Sequence, residues 1–183
     1  ERFLARWGRP VLVGEWGGHW MGNPRPFLDA ELHTGTWTMV VSPMAGATGF
    51  WWWPHVHFRD RYDLLAPAVR YANQRNRPLE GITRIHGSLT SADGFLAFAC
   101  GRNDWGADCY VYHRNLPYDI ASPEKHPGGA ALMLHGLQPG FYKVQFWNTW
   151  KGEIMGELET PALAGVVTVS LPAFTGDLSL IHI

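Results

Sequence analysis

Charge is scarce in this chain. Asp, Glu, Lys and Arg make up 17% of its 183 residues, the two signs are interspersed, and the formal net charge is −1. No basic stripe exists that could track a phosphate backbone, so nucleic acid is not an expected partner. Long apolar runs are missing too. None approaches the roughly 20 residues that span a bilayer, so no membrane partner is expected either. Cysteine is limited to Cys100 and Cys109, which flank a hairpin turn and stand nearly opposite each other. Spacing alone leaves two alternatives open, a cross-strand disulfide or two inert buried thiols. Internal repeats and low-complexity segments are absent. The chain opens on Glu1-Arg2-Phe3 without a Met. That reads as entry in mid-helix, with the true N-terminus and any targeting segment expected upstream.

What the chain has in plenty is tryptophan, ten residues of it. Indoles favour places where a flat apolar face meets a partner, and sugar rings offer such faces through their axial C–H groups. Filling a β-rich core is the competing use.

The pattern of segments changes near Asn76–Gly81. Before that point, strand-like and helix-like stretches alternate. Pro10-Val11-Leu12-Val13 suits a strand buried on both faces, as parallel strands are. Leu28 to Met44 reads as a helix with Asp29 and Glu31 in its first turn. Gly46 to Trp53 reads as a second buried strand, and Leu64 to Gln74 as a helix capped by Asp63. Two βα units form right-handed crossovers in a parallel sheet, and a complete barrel needs eight of them in about 250 residues. Residues 1–76 are therefore expected to be the last two βα units of an incomplete (β/α)8 barrel. After a linker at 77–81, about eight strands separated by turn signals predict an antiparallel β-sandwich over 82–183. The expected fold class is α/β plus all-β.

One carboxylate stands out. Glu15 interrupts apolar sequence in Gly14-Glu15-Trp16-Gly17-Gly18, at the strand end where barrel enzymes place catalytic groups. Retaining glycoside hydrolysis needs one carboxylate to attack the anomeric carbon and another to protonate the leaving oxygen. The next strand ends in Trp51-Trp52-Trp53, and alternation along a strand puts Trp51 and Trp53 on one face and Trp52 on the other. Trp16, His19, Trp20 and His33 are near enough in sequence to contact substrate. His55 and His57 could offer imidazoles to a metal, but no third ligand stands at a recognisable spacing. Trp147 and Trp150, in a later hairpin, suit either a carbohydrate face or core packing.

Residues 9–18, Arg-Pro-Val-Leu-Val-Gly-Glu-Trp-Gly-Gly, resemble the seventh barrel strand of the retaining clan that includes cellulases, mannanases and related β-glycosidases. Residues 46–53 are similar to its eighth strand. The hairpin Pro139–Glu153 and the closing stretch Leu171–Leu178 resemble a β-sandwich that follows the barrel in several such enzymes. The resemblance implies Glu15 as nucleophile and Trp53 as the floor of the −1 sugar subsite. Trp51, Trp16 and His19 are further candidates for substrate binding. It also implies a carbohydrate substrate, no cofactor and no metal, and a secreted or periplasmic setting. The clan's acid/base, a Glu after an Asn at the end of the fourth strand, has no counterpart in the chain. The chain alone is therefore expected not to turn over substrate. The rival reading is a non-catalytic carbohydrate-binding or structural β-sandwich module.

Overall fold

The computed structural model describes residues 11–18, 22–44, 46–47, 49–74, 82–91, 96–103, 106–116, 125–126 and 129–182. Two short strands, β1 (Leu12–Val13) and β2 (Gly46–Ala47), pair in parallel around helix α1 (Arg25–Val41). Then come α2 (Trp53–Phe58), a 3-10 turn (Arg61–Leu64) and α3 (Ala66–Gln74). The rest is β: β3 (Thr83–Arg84), β4 (His86–Thr90), β5 (Leu96–Asn103), β6 (Gly106–His113), β7 (Lys125–His126), β8 (Ala131–His135), β9 (Gly140–Asn148), β10 (Glu153–Leu163), β11 (Val166–Ser170), β12 (Phe174–Thr175) and β13 (Asp177–His182).

The expected architecture of barrel units plus a two-sheet sandwich is not what forms. Nine of these strands make one antiparallel sheet in the order β3–β5–β6–β13–β9–β10–β11–β8–β4. Its two edge strands, β3 and β4, are consecutive in the chain and separated only by the buried Ile85. One short segment thus occupies both edges, and the sheet curls nearly to closure instead of splitting into two layers. Closure is the most complete way to remove exposed strand edges. Alternating residues such as Leu132, Leu134, Val167, Val111, Leu178 and Val144 fill the interior. Cys100 and Cys109 are directly opposed in the β5–β6 register and are joined by a disulfide. Among the described residues, parallel pairing, expected to dominate the first segment, amounts to two residues per strand plus one bridge between Trp16 and Phe50. The expected boundary and linker at 77–81 fall outside the described residues.

Helix α1 starts three residues before its expected position because Pro26 is accepted in a first turn, where its missing N–H costs nothing. It stops at Val41 because Ser42 precedes Pro43 and is pushed to an extended conformation. The strand expected over 46–53 is cut short as well. Trp51 and Trp52 form a turn, and Trp53 opens α2 with Pro54 at its start.

α1 and α3 cover the outer face of the sheet at its centre. There β6 is buried on both sides, and an aromatic seam fills the gap. The Trp37 ring meets Tyr71 edge-on at 5.1 Å and stacks on Tyr110 at 6.1 Å, while Tyr71 meets Trp147 edge-on at 5.3 Å. Such offset and edge contacts suit the ring quadrupoles.

Candidate functional site

Two groups of side chains could carry chemistry, one at the open end of β1 and one sealed in the seam.

The first is built by the parallel ladder. Leu12 faces Gly46, Val13 faces Ala47, and Trp16 faces Phe50, so Glu15 stands level with Gly49. The Trp16 amide donates to the Gly49 carbonyl at 3.1 Å, and the Trp51 amide donates to the Trp16 carbonyl at 2.7 Å. Alternation then separates the neighbours. The Trp16 ring turns toward α1 and lies so close to Gly35 that a Cβ there would come within 1.9 Å of it. Glu15 points the other way, is exposed, and makes no hydrogen bond or ion pair among the described residues. A Cβ added at Gly14 or Gly49 would meet nothing within 4 Å, so the space beside the carboxylate is open. Gly17, at φ 132°, itself lies against Phe50 and the Trp51 Cβ, each 3.2 Å from where a Cβ would stand, in a conformation only glycine takes comfortably. The next amide, of Gly18, donates to the Glu31 carboxylate of α1.

Around this end the indoles sort by exposure. Trp51 is 50% and Trp53 63% exposed, and Phe58 and Tyr62 are also open. The Trp53 ring faces that of Phe58 at 6.4 Å. Trp52 instead packs against the cluster of Leu32, Phe50, Val56 and Leu64. Trp16 is drawn into that same cluster, away from Glu15. His19 and Trp20 lie outside the described residues. His55 and His57 do not converge on a metal. His55 is buried with Nε2 2.9 Å from Asp29 Oδ1, while the exposed His57 has Nδ1 3.2 Å from the Tyr62 hydroxyl. Asp29 also accepts from Arg61 Nε at 2.9 Å, and this fastens α2 and the 3-10 turn to α1. Among the described residues, no group of three or more His, Cys, Asp and Glu side chains could hold a metal ion.

The second group centres on Asp177, on β13. Its Oδ2 is 2.7 Å from His33 Nε2 and accepts from the Tyr110 hydroxyl at 2.5 Å. Its Oδ1 accepts from the Thr149 hydroxyl at 2.5 Å and from Trp150 Nε1 at 2.9 Å. An ionised carboxylate has about four lone-pair sites, and all four are filled. His33 and Asp177 are fully buried. His33 stacks flat on Trp150, 3.7 Å centroid to centroid. It is therefore a structural tie between α1 and the sheet rather than a contact for substrate. Trp147 is buried in the seam. Burial, and then the Asp177 charge and hydrogen bond, hold the Tyr110 hydroxyl well above the usual tyrosine range.

No protein-family model matches this chain, and no curated protein matches it. A functional reading therefore rests on these residues alone.

The Asp177 group is the arrangement that sequence reasoning missed. Its one trace is the alternation Asp177, Leu178, Ser179, Leu180. That pattern marks a strand with a polar face but reads as solvent-facing until a helix is seen to cover it.

Proposed function

We propose that the chain supplies the nucleophilic carboxylate of a retaining glycoside hydrolase, with Glu15 in that role and Trp51 and Trp53 as the surface on which a sugar ring rests. The observation that carries the reading is Glu15 itself. It is a carboxylate with no partner among the described residues, held at the end of a hydrogen-bonded ladder, beside open space at Gly49 and next to the backbone of the first exposed indole. Trp16 has no part in this site, because it lies against α1.

Double displacement requires a second carboxylate about 5–5.5 Å away to protonate the leaving oxygen and then activate water. Asp29, Asp177 and Glu157 are each engaged by other side chains. On this reading none of these three is the acid/base, and the chain does not turn over substrate unless a second carboxylate is brought beside Glu15.

An activated inhibitor tests the nucleophile without needing that partner. In a dinitrophenyl 2-deoxy-2-fluoro-β-glycoside, the Glu15 oxygen attacks C1 as the C1–O bond breaks, and dinitrophenolate leaves with the bonding pair. The expected result, in the natural full-length gene product, is one fluoroglycosyl group on the peptide containing Glu15 and none in Glu15→Gln. A label on another carboxylate, or near-normal hydrolysis by Glu15→Gln, would remove Glu15 from the mechanism.

The high exposure of Trp51 and Trp53 also suits a second reading, non-catalytic carbohydrate binding. That reading gains if β-linked oligosaccharides bind Glu15→Gln as tightly as the parent but fail to bind Trp53→Ala.

A further inference from the structure

The nearly closed sheet places two histidines side by side on its outer surface. In the β4–β8 register, His86 is directly opposite His135 and Ser88 is opposite Met133. Between them, Gly87 and Leu134 face inward, since a Cβ at Gly87 would touch Leu134 and Phe98 at 3.3 and 3.5 Å. Alternation therefore turns His86, His135 and Met133 outward together. Both histidines are exposed and Met133 is half-buried. Directly opposed residues in such a pair have Cβ atoms about 4.5–5.5 Å apart, and diagonal neighbours, as Met133 is to His86, are about 7–8 Å apart and within reach of a long side chain. Neither imidazole is spent elsewhere among the described residues. By contrast, His33, His55 and His57 are hydrogen-bonded to side chains of Asp177, Asp29 and Tyr62.

We propose that His86, His135 and Met133 form a surface binding site for copper(I). Imidazole suits copper among several transition metals, and the soft thioether beside the two imidazoles selects copper(I), whereas carboxylate or carbonyl oxygens would suit harder cations. A nearby charge argues the same way. The Arg102 guanidinium lies 3.5 Å from where a Cβ would stand on Gly136, the residue after His135. Its repulsion penalises a monovalent ion less than a divalent one. The bound ion would staple β4, the last strand of the sheet, to its only neighbour in the sheet order.

Competition between the protein and a chromophoric copper(I) chelator, under anaerobic reducing conditions, tests the site. The parent is expected to retain one equivalent of copper(I). His86→Ala and His135→Ala should each weaken it by at least the tenfold or so that even an outer-shell change costs. Met133→Leu should weaken copper(I) severalfold while leaving zinc(II) binding unchanged. All three changes are on the outer face, so circular dichroism should confirm intact folding. The proposal is overturned if the parent takes no copper(I), or if the His86→Ala/His135→Ala double variant holds it as tightly as the parent. An unchanged copper(I) affinity in Met133→Leu overturns the assignment to that ion.

Discussion

Trp37 and Trp147 are sealed between the helices and the sheet, whereas Trp51 and Trp53 stand 50% and 63% exposed at the end of the β1–β2 ladder. The seam surrounds its aromatics with partners that constrain one another. One carboxylate satisfies four donors, and rings from two helices and two strands meet edge to face or stacked. The ladder end does the reverse, leaving a carboxylate without a partner among the described residues and indoles facing water. Mutually satisfied contacts are concentrated in the first region, and groups open to solvent in the second. The same residue type serves opposite ends according to what covers it.

The comparison breaks most visibly at Asp177. Replacing it with Ala strips four donors of their acceptor, and each buried donor left unsatisfied costs about 1–3 kcal/mol. Urea denaturation should show a loss of that order, and a loss below about 1 kcal/mol would mean that the seam does not rely on this node.

A smaller effect is expected at Tyr110, whose hydroxyl bonds the same carboxylate. Tyr110→Phe should lose about 1.5–3 kcal/mol near neutral pH, the range for a hydrogen bond to a charged group. The hydroxyl's proton is held more tightly in the folded state, because burial and Asp177 raise its pKa above the ordinary value near 10. Its contribution is therefore fully present below about pH 10 and falls as pH climbs through the raised folded value. Melts taken above pH 10 should show the parent losing stability faster than Tyr110→Phe, and parallel curves would contradict that assignment.

The least effect on stability is expected at the open end. Glu15→Gln and Trp53→Ala remove groups with no buried partner, so both should melt within about 0.5 kcal/mol of the parent. A large loss from either would erase the contrast between the two regions.

Parts of this arrangement were legible in the sequence. Turn signals predicted about eight strands in residues 82–183, and most of them lie where the longer of the eleven observed strands run. Partnership was not legible. Alternation cannot say that Thr83-Arg84 and His86–Thr90 belong to opposite edges of one sheet, and so a closed sheet read as two layers. The run Trp51-Trp52-Trp53 read as the end of a strand because three indoles favour β structure, but Pro54 suits a helix's first turn and set the outcome. At the candidate site, the exposed position of Glu15 could be anticipated from its place after an apolar run. The withdrawal of Trp16 could not, because it depends on the bare backbone of Gly35, nineteen residues away.

Strand β13 inserts between β6 and β9, yet it follows both in the chain. On a ribosome, the central slot of the sheet must stay empty until residues 177–182 emerge, and His33 must wait about 140 residues for its acid. Until then, the apolar faces of α1 and of the half-built sheet are uncovered together. A nascent chain of this design depends on chaperones, or on speed, to reach its final strand without sticking to its neighbours.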